Sequence, residues 1–191
     1  MKLPGIVRLE RHATIASTQD EAKRLAEAGS PEGTLVWADV QTAGRGRMSR
    51  RWKSAQGGLY LSLILRPSFT PGRLAALSLW AADAAARAIR ERTGLVCVVK
   101  PPNDVLAYKR QGAGEEQPTP QKVCGILIEA RGGAARLDWA VAGVGINANN
   151  HIPPSLPHAA SLRQLAGVRV DTERLLRGLL KSFWDAYATL V

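Results

Sequence analysis

The chain has 191 residues, 46% hydrophobic and 22% charged, with a formal net charge of +10. That length suits one domain with its own core, and no apolar run reaches the roughly 18 residues that a membrane helix needs. Two cysteines rule out a disulfide framework, and Met1–Glu10, interrupted by Pro4, lacks the apolar stretch of a secretory signal, so a cytoplasmic protein is expected.

Ile6–Arg11 reads as a short strand. Ser17 is placed to cap a helix running to Ala28, with Asp20 at the capping-box position and Gly29 as its stop. Thr34–Gln41 and Leu59–Leu65 are β-type runs. Pro71 opens a long alanine-rich helix to about Arg92, closed by Gly94. Leu95–Lys100 is an apolar run bounded by turn signals, which predicts a buried strand that Pro101-Pro102-Asn103-Asp104 ends. The polar, Gly- and Pro-rich stretch 107–121 predicts a mobile hairpin tip. Lys122–Ala130 and Arg136–Gly143 pair around Arg131-Gly132-Gly133. From Asp171 the chain is helical, with Leu175, Leu176, Leu179, Leu180, Phe183, Trp184 and Tyr187 on one face. Strands and helices do not alternate, which predicts an α+β domain with a mixed or mostly antiparallel sheet flanked by helices. Cys97 and Cys124 lie in apolar strands, where a thiolate is unfavourable.

The run Gln41-Thr42-Ala43-Gly44-Arg45-Gly46-Arg47-Met48-Ser49-Arg50-Arg51-Trp52-Lys53 holds five cations between Arg45 and Lys53 and no acid. Half of the net positive charge sits there. Guanidinium forks suit phosphate and carboxylate oxygens, so this loop is expected to hold an anion. Arginine outnumbers lysine 19 to 7 but is otherwise scattered, unlike the clustered charge of a dedicated nucleic-acid module. A solvated basic loop explains the run equally well when it is taken alone.

Three other segments place polar groups at predicted element ends. Ser17-Thr18-Gln19 offers hydroxyls, an amide and the free N–H groups of a helix start, suited to a neutral urea-like group or an anion, or to simple capping. Asn103-Asp104 follows two prolines and reads as a ligand for an amine or metal, or as an Asx turn. Lys122 leads an apolar strand, where a lysine also snorkels from an edge.

Together these segments resemble the catalytic domain of biotin protein ligases. The resemblance rests on Ser17-Thr18-Gln19-Asp20-Glu21-Ala22, on Gln41–Arg47 with Trp52, and on Gly58-Leu59-Tyr60-Leu61-Ser62. It continues through Lys100–Val105, Lys122–Glu129, Gly143-Val144-Gly145-Ile146-Asn147 and Ala160-Ser161-Leu162, covering about residues 10 to 190 in order. It implies a biotin/lipoate-ligase-like fold of the class II aminoacyl-tRNA synthetase kind. It implies formation of biotinyl-5′-AMP from biotin and ATP with Mg²⁺, then transfer to one lysine of a biotin carrier domain, usually that of acetyl-CoA carboxylase. Carried over by position, Ser17, Thr18, Gln19, Gln41, Gly44, Arg45, Gly46, Arg47, Trp52, Lys122 and Gly125 would meet biotin or its adenylate. Arg50, Asn103 and Asn147 would lie on the ATP side. Lys122, Arg47 and Asp104 would carry the chemistry: the cations against the meeting of two anions, Asp104 toward the incoming lysine. No resident metal ligands are expected.

The family's aromatic before Pro-Asn-Asp is Pro101 here, its usual Arg-Gly is Met48-Ser49, and Gln19 stands where asparagine is common. A single domain over 1–191 is expected, without the family's DNA-binding winged helix or its C-terminal β-barrel, and so no DNA partner and no membrane. Dimerisation through the sheet is left open. Two other readings remain: a lipoate or octanoate ligase or transferase of the same fold, and a non-catalytic biotin or nucleic-acid binder.

Overall fold

The computed structural model describes residues 2–112, 116 and 118–189. Seven strands form one sheet in the order β1-β2-β3-β7-β6-β5-β4. They are β1 (Arg8–Ile15), β2 (Thr34–Gln41), β3 (Leu59–Leu65), β4 (Val96–Lys100), β5 (Asp104–Tyr108), β6 (Gln121–Gly132) and β7 (Leu137–Ile146). Only β1 and β2 run parallel; every other neighbour is antiparallel. The helices are α1 (Thr18–Glu27), α2 (Leu74–Thr93), α3 (Leu162–Ala166) and α4 (Thr172–Tyr187). The mixed α+β architecture is therefore the one expected.

Each face of the sheet has its own cover, because strand side chains alternate with a period of two. On one face Val36, Ile64, Trp139 and Val141 pack on Ala22, Leu25 and Ala26 of α1. On the other, Leu35, Trp37, Leu61, Leu63, Cys124 and Ile126 join α2 and α4 in the main core. Small residues bring α2 and α4 close: a Cβ placed on Gly178 would stand 3.5 Å from the Ala88 Cβ. The apolar face of α4 buries Leu175, Leu176, Leu179, Leu180, Phe183 and Tyr187 as its periodicity predicts, and Phe183 stacks on Tyr187 at 5.8 Å.

The helix ends follow their side chains. Ser17 caps α1 by accepting from the Asp20 N–H at 3.2 Å, and Asp171 caps α4 by accepting from Glu173 and Arg174 at 3.0 Å each. Gly94 closes α2 with φ of 68°.

Three expectations need correction. The Leu95–Lys100 run is not a buried strand but the sheet's edge: within β4 only Cys97 is buried, because β5 occupies its single paired side. β5 starts at Asp104, inside the expected break, and runs into the stretch expected to be a hairpin tip. Ala107 and Tyr108 belong to it and Gln121 opens β6, so the connection is 109–120, of which 113–115 and 117 lie outside the described residues. The first strand also runs later than expected, to Ile15, because β2 supplies its partners up to Gln41.

Candidate functional site

Helix α1 packs mainly on β2, β3 and β7 on its side of the sheet. Beside its N-terminus the same face is left open over β5, β6 and β7. A cavity of about 360 Å³ occupies that space, within the range usual for small-molecule sites. Its walls come from Thr18 and Gln19 of α1, Gln41 at the end of β2, Ser62 of β3, Asp104 of β5, Lys122 of β6 and the segment between β2 and β3.

One end is neutral and polar. The Thr18 N–H and hydroxyl both donate to Gln41 Oε1, at 2.8 and 3.0 Å. Gln41 Nε2 donates to Ser54 Oγ at 2.8 Å. Ser62 Oγ lies 3.0 Å from Thr18 Oγ1 and donates to Gln19 Oε1 at 3.0 Å. Thr18, Gln19 and Ser62 are all buried, so this chain of hydroxyls and amides is fixed before any ligand arrives. Gly143 leaves room for it, since a Cβ there would collide with the Gln19 amide oxygen.

The other end is cationic. Lys122 Nζ pairs with Asp104 Oδ1 at 2.7 Å and stands 5.4 Å from the Trp52 ring centre. Arg47 donates to Asn103 Oδ1 at 3.1 Å, and Asn103 in turn donates to the Ile126 carbonyl at 2.9 Å. Arg45 is held differently, between Asp20 at 2.5 Å and Glu129 at 3.4 Å, while Lys23 reaches Glu129 at 3.0 Å. The Asp20 hydrogen bond raises the Arg45 pKa further.

The basic run between β2 and β3 is a two-stranded strap rather than a shapeless loop. Its arms pair through Gln41 N–H to Ser54 O at 3.2 Å, Trp52 N–H to Gly44 O at 2.9 Å, and Gly46 N–H to Arg50 O at 2.8 Å. At its base Gly44 has no room for a side chain: a Cβ would lie 2.6 Å from the Trp52 carbonyl. The Trp52 indole rests against Gly125 and Gly145, which face each other across β6 and β7; a Cβ on either would come within 2.8 or 2.6 Å of the ring.

Of the residues expected in the site, Thr18, Gln19, Gln41, Arg45, Gly46, Arg47, Arg50, Trp52, Asn103, Asp104, Lys122 and Gly125 line this cavity. Ser17, Gly44 and Asn147 do not. Ser17 caps α1, and Gly44 closes the strap. Asn147 is buried where β7 meets α3: its N–H donates to Val123 O, its carbonyl accepts from Leu162 N–H, each at 2.8 Å, and its side chain accepts from Asn150. Ser62, Leu127, Gly143 and Gly145 line the cavity without having been singled out for it. All four lie inside the segments that carry the family resemblance.

The cleft thus suits an elongated ligand with a neutral polar head and an anionic end, on an α+β scaffold. The chain belongs to the biotin/lipoate A/B protein ligase family, whose profile matches residues 12–147. It is 40% identical over 181 residues to the bifunctional ligase/repressor BirA of Bacillus subtilis, covering 92% of this chain and 52% of that one. It is 30% identical to the biotin–[acetyl-CoA-carboxylase] ligase of Mycobacterium tuberculosis, over 88% of this chain and 59% of the relative. Among solved structures it is similar to the biotin protein ligase of Aquifex aeolicus in complex with biotin and ATP, with a TM-score of 0.78, 32% identity, and coverage of 96% of this chain and 72% of that one. The chain spans about half the length of the curated relatives it matches. The biotin-ligase catalytic-domain resemblance read from the motifs therefore holds.

Proposed function

We propose that this chain is an ATP-dependent biotin protein ligase that forms biotinyl-5′-AMP and passes the biotinyl group to one lysine of a carboxylase carrier domain. The observation that carries this reading is a single cavity joining the hydrogen-bonded Thr18–Gln41–Ser62–Gln19 cluster to Lys122 and Arg47. Hydroxyls and amides at the closed end match a ureido head, which both donates and accepts hydrogen bonds. Leu127 and the Trp52 ring give the cavity apolar wall, which suits an alkyl chain.

In the first step a biotin carboxylate oxygen bonds to the α-phosphorus of ATP, the bond to the β-phosphate oxygen breaks, and pyrophosphate leaves. Both reactants are anions, so Lys122 and Arg47 act by neutralising their repulsion and the charge that builds on the phosphoryl oxygens. In the second, the carrier amine attacks the acyl carbon and AMP leaves. Asp104 stands beside Lys122, where a carboxylate can orient the incoming ammonium and draw its proton. Among the described residues no three His, Cys, Asp or Glu side chains come together to hold a metal. Mg²⁺ would enter with ATP, held by the nucleotide's phosphates, and would supply further neutralising charge there.

The test is exchange of labelled pyrophosphate into ATP by the purified chain, with biotin, octanoate or lipoate as the acid. Exchange with biotin alone is expected. Exchange with the fatty acids instead would transfer the protein to the lipoyl branch of the family, and none with any acid would leave the cavity a binding site.

A further inference from the structure

The tip of the strap is built against the preferences of its residues. Arg50 N–H donates to the Arg47 carbonyl at 3.1 Å, closing a four-residue turn whose central pair is Met48 and Ser49. Both have positive φ, 55° and 59°, and among the described residues no other non-glycine does. Positive φ at both central positions is the type I′ pattern, which fits the twist of a two-stranded hairpin but favours Asn-Gly, because a Cβ crowds the neighbouring carbonyl in the left-handed region. Met48 recovers nothing by packing, since 81% of it is exposed. The base is the opposite: Gly44, Trp52, Gly125 and Gly145 interlock, and the Thr42 and Ala43 N–H groups donate to the carbonyls of Ile15 and Ala16 at 3.0 and 2.8 Å.

We propose that Met48–Ser49 is a strained closure that sets how much of the time the strap stays folded over the cavity, and so how long an acyl-adenylate remains beneath it. The first half needs only the turn; the second rests on the biotin-ligase reading. The strap carries Arg47 and Arg50 into the cavity wall, and when its tip opens these cations leave together. Water then reaches whatever lies beneath, and a mixed anhydride is lost by escape or hydrolysis. The turn thus trades retention against release.

The strap's own basic residues provide the test. Trypsin cleaves Arg45–Gly46 and Arg51–Trp52 only when the arms separate, and when opening and closing are fast the rate follows the open population. Relief of one left-handed strain is worth roughly tenfold in that population. The double variant Met48→Asn/Ser49→Gly of the full chain, without ligand, is expected to be cut about tenfold more slowly at these two bonds, neither of which it alters. Met48→Ala, which removes the side chain but keeps the crowded Cβ, is expected to be cut at the parent rate. Biotinyl-5′-AMP preformed on the protein is expected to dissociate more slowly from the double variant. Equal or faster cleavage of the double variant, equal slowing by Met48→Ala, or a parent strap as resistant as the variant would each overturn the proposal. Slower cleavage in a protein that forms no biotin adenylate would keep the strained closure and remove the biotin reading.

Discussion

Individual side chains divide the cavity by how firmly they are held. Arg45 has two carboxylate partners, Asp20 and Glu129, so it fastens the first arm of the strap to α1 and β6. Arg47 is tied, among the described residues, by the Asn103 amide oxygen and by no carboxylate, and is freer to turn toward an anion. The cysteines have no such role. Burial pushes the Cys97 thiol up to about 11 and that of Cys124 higher still, despite Lys122 nearby. A thiolate nucleophile is therefore not on offer at neutral pH, which removes the acyl-cysteine route of a transferase. The sign for stability follows from the same desolvation. The unfolded chain ionises its thiols near pH 9 while the folded one keeps them protonated, so their contribution is intact below pH 9 and is lost as pH rises from about 9 toward 11. Denaturant midpoints are expected to fall over that window, and the fall to shrink in Cys97→Ala. Alkylation by iodoacetamide at pH 8 is expected only after unfolding; rapid alkylation of the folded protein would contradict the burial.

Among the elements, those with strong local signals could be read from the chain and those defined by their neighbours could not. Helix α4 announced itself through Asp171 and its 3–4 spacing, and α1 through Ser17. Strands β2 and β3 matched their β-type runs because both are buried in the middle of the sheet. β5 was missed, since five residues after a Pro-Pro turn carry too little pattern, and α3 is a single short turn held by its Ser161–Gln164 capping box. α4 lies across α2 on the sheet face away from the cavity, so its stability and the site's chemistry separate. Asp171→Ala removes the acceptor for two helix-end N–H groups at a cost of about 1 kcal/mol, or roughly 2–4 °C in Tm for a domain of this size. Thermal melts are expected to show that drop with pyrophosphate exchange at 25 °C unchanged. A loss of exchange would mean that α4 communicates with the site.

At the scale of the whole molecule, one open sheet face explains why residues so far apart in sequence meet. Thr18, Gln41, Ser62, Asp104 and Lys122 converge because α1 stops short of β5 and β6, leaving the carboxyl end of β2 and the start of β6 exposed beside its N-terminus. The motifs named most of these side chains, but spacing alone gave no reason why Ser62 should bridge Thr18 and Gln19, or why Asn147 should turn away toward α3. Those are products of register and topology. The positive charge has a similar logic: of the five cations on the strap, Arg45, Arg47, Arg50 and Arg51 line this cavity. Among the described residues no helix is long and apolar enough to cross a membrane. The most direct measurement is biotin-dependent pyrophosphate exchange by Lys122→Ala beside the parent, with a thermal melt of each. Loss of exchange by a factor of about 100 or more, with the melt preserved, is what charge stabilisation by Lys122 predicts; exchange at the parent rate would show that the chemistry is done elsewhere.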